Sequence, residues 1–194
     1  GEAVMKMSFG NNIGFVGCEG LEGLWGMEYR NSGSIASGFD EDNSRVYQDL
    51  SLLGNRLMPV CADDTHREIG GNGYRVLGDS WNMVGAKELT YESVIEAMEK
   101  GDLYASCGPE ITGLTLEGAK LQLTCSPAAQ VTLQSQARYA LRVAGDAPVT
   151  EAEFDLTTWL TKSQGDPNAF IRLTVTAPDG TYAVTRAYYP EELK

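Results

Sequence analysis

From Ile111 onward, apolar and polar residues alternate with a period of two. Such alternation places successive side chains on opposite faces of an extended backbone, one toward a core and one toward water. The candidate strands cover residues 111–116, 121–125, 131–135, 139–143, 153–157, 170–177 and 182–189. Turn signals separate them, notably Pro178-Asp-Gly180 and Gly145-Asp-Ala-Pro148. Seven short strands in about 85 residues predict an antiparallel β-sandwich of immunoglobulin-like architecture over residues 111–194.

The first 110 residues lack this texture and read as a separate α/β domain. Leu24-Trp-Gly-Met-Glu-Tyr29 is a short aromatic strand candidate. Val46, Tyr47, Leu50 and Leu53 recur at helical spacing after Asp40-Glu-Asp42, and Gly54 sits where a helix ends. Leu57-Met-Pro-Val-Cys-Ala62 is a compact apolar run, the pattern of a buried strand. Short extended pieces follow at Arg75-Val-Leu and Trp81-Asn-Met-Val. Thr90 is an N-cap candidate for a helix over residues 91–100, with Val94, Ile95 and Met98 inward and Gly101 closing it.

Charge narrows the partners. The chain carries 27 acidic and 15 basic side chains, a formal net charge of −12. Eighteen of the acids and eight of the bases fall within residues 1–110, so the excess belongs to that half. Such a surface repels phosphate backbones and anionic lipid, which argues against nucleic acid and membranes as partners. No apolar run approaches the roughly 18–20 residues of a membrane helix. The four cysteines form no Cys-x-x-Cys pair, so buried free thiols in a cytoplasmic protein are expected.

The strand at residues 57–62 delivers Asp63-Asp64-Thr65-His66. Asp64 and His66 are two apart, so on an extended segment both point to one side and can share a cation. A carboxylate with an imidazole suits Zn, Mn or Fe, and Asp63 could orient these two ligands from behind. The ordinary alternative is a capping Asp beside a surface His. Other candidates are weaker. Ser80, Ser106 and Thr65 lack a second histidine to activate them. Gly70-Gly-Asn-Gly73 lacks the Lys-Ser/Thr of a phosphate loop. Trp25, Trp81 and Trp159 are scattered as packing residues are. Cys61 should face away from the acidic pair, into the core.

Three stretches together resemble a known family. Met27-Glu-Tyr-Arg-Asn31, Leu57-Met-Pro-Val-Cys-Ala-Asp-Asp-Thr-His66 and Lys100-Gly-Asp-Leu-Tyr-Ala-Ser-Cys-Gly-Pro109 are similar to the C-terminal part of the polymerase and histidinol phosphatase (PHP) family of metal-dependent phosphoesterases. The resemblance implies a partial, truncated β/α barrel over residues 1–110. It implies phosphoester hydrolysis of a phosphorylated small molecule, with metals activating a bridging hydroxide. By the same resemblance, Asp64 and His66 are metal ligands, while Glu28 and Asn31 lie near the pocket as support. The family's early pair of histidines is absent, because His66 is the chain's single histidine. The expectation is therefore a weakly held divalent metal and no activity by the chain alone. An incomplete barrel exposes apolar edges, so a homo-oligomer is expected. The competing expectation is a non-catalytic binding or interaction protein that works through its C-terminal β-sandwich.

Overall fold

The computed structural model describes residues 23–39, 42–65, 77–136 and 139–193. The protein is mixed α/β but rich in strand, and it divides into two compact units, Gly1–Cys107 and Gly108–Lys194.

The first unit begins with a β-α-β crossover. Strand β1 (Gly26–Asn31) leads into the short helix α1 (Ser32–Ala36), then helix α2 (Ser44–Leu52), then strand β2 (Met58–Ala62). β1 and β2 pair in parallel, as strands joined by a helical crossover do. Helix α2 buries Tyr47 and Leu50, the two central members of the expected apolar stripe, whereas Leu53 is exposed. The Tyr47 hydroxyl donates to the Leu57 carbonyl at 2.8 Å, and its ring meets Tyr29 edge-on at 5.5 Å. These contacts tie α2 to both strands.

Strand β3 (Trp81–Val84) and strand β4 (Leu103–Ser106) pair antiparallel, with helix α3 (Tyr91–Lys100) between them. Thr90 caps α3 by accepting from the Ser93 N–H at 3.3 Å, and Gly101 ends it in the left-handed conformation (φ 76°). Ala97 is its buried residue; Val94, Ile95 and Met98 are only half-buried. Among the described residues, no set of strands closes into a barrel.

The second unit is a large antiparallel sheet built on strand β6 (Lys120–Ser135). Strand β7 (Ala140–Asp155) runs back along β6, with partners from Lys120↔Asp155 to Gln134↔Ala140. Strand β5 (Ile111–Glu117) pairs with the first part of β6, and strand β8 (Ile171–Thr176) with the second. Strand β9 (Tyr182–Thr185) pairs with β8. A short helix, α4 (Thr157–Lys162), connects β7 to the loop before β8.

The sheet therefore differs in detail from seven short strands. Residues 121–135 form one strand where two were expected, as do residues 140–155. Gly145–Pro148 is not a turn. Gln130 pairs with Ala144 and Ala128 with Val149, so the extra β7 residues bulge out between these pairs. A bulge bends a strand without ending it, and turn-type residues serve that purpose equally well. The buried positions of β6 record the shift: Leu121, Leu123 and Cys125, then Ala128, then Val131, Leu133 and Ser135. The residues expected to end one strand at Thr157 instead start α4, where Asp155 Oδ1 accepts from the Thr157 N–H at 2.8 Å.

The core of this unit lies on the inward side of the sheet. Val131, Leu133, Leu173 and Val175 are fully buried and directly paired, Val131 with Val175 and Leu133 with Leu173. Trp159 of α4 is also buried, its indole N–H donating to Ser135 Oγ at 2.7 Å. Truncating Leu133→Ala should lower unfolding stability by about 2–5 kcal/mol, because the cavity it leaves is walled by paired strands. Urea denaturation followed by Trp fluorescence checks this; a loss below ~1 kcal/mol would show that the sheet collapses onto the gap.

Candidate active site at the carboxyl ends of β1 and β2

Glu28 and Asn31 are three residues apart, and in a regular strand they would face opposite ways. The register of β1 on β2 breaks between Glu28 and Arg30: Glu28 pairs with Val60, and Arg30 with Cys61. Tyr29 is thus the extra residue of a bulge. One extra residue reverses the alternation beyond it, so Asn31 returns to the side of Glu28. Asn31 Nδ2 accordingly donates to Glu28 Oε1 at 3.3 Å. Asn43 braces the bulge from the outer edge. Its side chain donates to the Glu28 carbonyl at 3.1 Å, and its backbone N–H donates to the Tyr29 carbonyl at 2.8 Å.

Asn31 is the hub of the site. Its Oδ1 caps α1 by accepting from the Ser34 N–H at 2.7 Å. That bond orients the amide, leaving the NH2 group to face the carboxylates. Nδ2 donates to Asp64 Oδ2 at 3.1 Å as well as to Glu28. A carboxylate buried at 7 % exposure and a second at the surface thereby converge on one amide nitrogen.

Asp64 reaches this position in the left-handed conformation, at φ 51°. Asp tolerates that region better than most residues. Gly33 allows the approach: a Cβ there would lie 2.7 Å from the Asp64 carbonyl oxygen and 2.8 Å from that of Asp63. Asp63 has a different job from its neighbour. Its Oδ2 accepts from the Gly78 N–H at 2.6 Å and its Oδ1 from the Ser80 N–H at 2.8 Å, which folds the 78–80 turn against β2. Ser80 then shares a buried hydroxyl–hydroxyl hydrogen bond with Ser32, next to Asn31.

The structure therefore brings Glu28, Asn31 and Asp64 into one hydrogen-bonded group, and sets Asp63 to hold an adjacent turn. His66 lies outside the described residues, as do residues 70–73 and the start of the extended piece expected at Arg75. Among the described residues, no group of three or more His, Cys, Asp or Glu side chains comes together as a metal cage. Ser106 is fully buried in β4, away from solvent.

Cys61 is in the core, at 3 % exposure. Burial pushes its thiol up to about 12, and the nearby Cys107 adds to the effect. The Asn82 side chain meets Cys61 as a strand would: Oδ1 accepts from the Cys61 N–H and Nδ2 donates to the Cys61 carbonyl, both at 2.9 Å. Nothing in the local sequence of Asn82 signals this role.

Compared with known proteins, the chain matches no family, and no curated protein or solved structure is significantly similar to it.

Two variants test this site and the core beside it. Asn31→Asp keeps an acceptor for the α1 cap but sets a third carboxylate against Glu28 and Asp64. Its stability loss should grow as pH rises from 5 to 8, by roughly 1–3 kcal/mol, since like charges raise one another's pKa and favour the protonated forms. A loss that stays constant across that range rules the convergence out. The buried Cys61 thiol makes an alkaline prediction. Its folded pKa of about 12 exceeds the ordinary 9.0, so its contribution is complete below pH 9 and is lost as pH climbs toward 12. The urea midpoint should fall more steeply over pH 9–11 in the wild type than in Cys61→Ala; parallel curves would contradict it.

Proposed function

We propose that the carboxyl ends of β1 and β2 form part of a metal-dependent phosphoesterase centre of the PHP type. Asp64 and His66 are the metal ligands, and Glu28 and Asn31 support them. The β1–β2 crossover is then a section of a β/α barrel, and the C-terminal sheet an appended immunoglobulin-like sandwich. The observation that carries this reading is the convergence of Glu28 and Asp64 on the Asn31 amide. It lies at the strand ends where parallel α/β sheets gather ligands.

The donor chemistry fits a divalent ion of the Zn, Mn or Fe kind: one exposed carboxylate, one buried carboxylate, and an imidazole two residues beyond the exposed one in sequence. Bound there, such an ion supplies Lewis acidity toward a phosphoryl oxygen and a nucleophilic hydroxide. The chain's own groups do the positioning. Asn31 fixes one oxygen of each carboxylate, and buried Glu28 sets the negative potential of the site. Two ligands hold a metal loosely, because stable zinc sites use three or four. The chain alone is accordingly a poor catalyst for its phosphorylated small-molecule substrate.

Metal titration of the dialysed protein tests the assignment. Zn or Mn should bind the wild type, and Asp64→Asn and His66→Ala should each weaken it about ten-fold, a loss of ~1.4 kcal/mol. Hydrolysis of p-nitrophenyl phosphate should match the protein-free control. Equal metal affinity in all three proteins sinks the ligand assignment. Turnover that disappears in His66→Ala would instead show a complete active site.

A further inference from the structure

Helix α3 of the first unit carries an apolar stripe that the chain leaves uncovered. At 3.6 residues per turn, Tyr91, Ile95 and Met98 stand in one line along the helix, at i, i+4 and i+7. Ala97, the residue that α3 buries, lies about a third of a turn to one side of that line. Tyr91 is 78 % exposed, and Ile95 and Met98 are only half-buried. Leu89 adjoins the stripe, just before the cap. With Thr90 as N-cap, a hydrophobic staple would pack Leu89 on Val94. Leu89 is 97 % exposed, so that contact is not made.

The other border of the stripe is acidic. Glu92 and Glu99, at i and i+7, form a second exposed line about a quarter of a turn from the first, on the side away from Ala97. Residues 85–102 hold five acidic and two basic side chains. Both bases act on Glu96, Lys100 by a direct ion pair and Lys87 through space. Glu92 and Glu99 stand outside that pair. The frame under the stripe is fixed at both ends. Thr90 caps the helix, the Asp102 N–H donates to the Ala97 carbonyl at 2.9 Å, and the Gly85 N–H donates to the Asp102 carbonyl at 2.7 Å.

We propose that this face of α3 docks a basic amphipathic helix of a partner protein. The apolar side of that helix would cover Leu89, Tyr91, Ile95 and Met98, and lysines or arginines along its edge would meet Glu92 and Glu99. Aromatic residues and methionine are enriched in interface centres. Charge along one border sets the orientation of the partner and speeds its encounter. The same border disfavours a lipid surface, which takes amphipathic helices with basic polar faces. A second copy of the chain would add an acidic border of its own, where a basic one is needed.

The test uses the full chain and three synthetic helical peptides that share one leucine face, with polar faces of lysine, glutamine or glutamate. Binding is read from the amide resonances of residues 89–99. The lysine peptide should shift them saturably, and the other two should bind at least about five-fold more weakly. Glu92→Gln/Glu99→Gln should lose about five-fold in affinity for the lysine peptide. Glu110→Gln/Glu117→Gln removes the same charge from exposed positions of the second unit and should bind as the wild type does. Leu89→Ser/Tyr91→Ser should lose about ten-fold with an unchanged Tm, because both side chains are already exposed. The proposal is overturned if the lysine peptide does not bind, if both glutamate pairs cost the same affinity, or if Leu89→Ser/Tyr91→Ser retains full affinity. It is also overturned if the wild type self-associates and Leu89→Ser/Tyr91→Ser abolishes this, which would assign the face to a second copy.

Discussion

In an extended chain the face a side chain occupies is set by whether its position is odd or even, and one inserted residue reverses that for everything beyond it. Both units of this protein depend on such reversals. In β1 the insertion is Tyr29, and it turns Asn31 to the side of Glu28. In β6 and β7 the shifts around Ala128 and the Gly145–Pro148 bulge move the buried set from odd to even numbers and back. Without the first, the carboxylates would have no common partner. Without the second, half of a 16-residue strand would show its apolar face to water.

The cluster at the strand ends balances charge against a single dipole. Two carboxylates brought together repel each other, and here an amide NH2 lies between them. The amide can hold that orientation because its oxygen is committed to capping α1. A helix cap and a site residue are thus one side chain, turned into place by the bulge at Tyr29. The surrounding bonds extend the same economy: Asn43 satisfies the bulge carbonyls, and Asp63 satisfies the turn that presents Ser80 to Ser32.

Much of the local structure was legible in the residues. The α3 cap at Thr90 and its Gly101 stop follow from side-chain chemistry at fixed offsets, and so does the β2 run ending before Asp63. Period two located the strands of the second unit, because a half-buried sheet writes its two faces directly into the sequence. Strand lengths were less accessible. Gly145 and Pro148 suit a turn or a bulge equally, and only pairing partners across the sheet decide between them. Helix α4 is hidden because six residues are too few to show a helical period. At the site, Glu28, Asn31 and Asp64 were marked by resemblance, yet the bulge that unites two of them has no signature of its own. The role of Asp63 depends on residues 15 and 17 positions away, beyond any local pattern.

Asn82 has a further consequence. Its carboxamide stands in for a peptide group on the edge of β2 away from β1, donating and accepting at the same distance of 2.9 Å. Pro59, two residues before Cys61 on that strand, has no N–H to leave unanswered on the same edge. Aspartate has the right length but lacks the donor, glutamine adds a methylene, the hydroxyls of Ser, Thr and Tyr carry donor and acceptor on one atom, and the imidazole of His sets its two nitrogens in a different shape from a peptide group. The position therefore admits one residue type although it performs no chemistry. In an alignment it would look as invariant as a catalytic group, while the constraint behind it is that of a strand written in side-chain atoms.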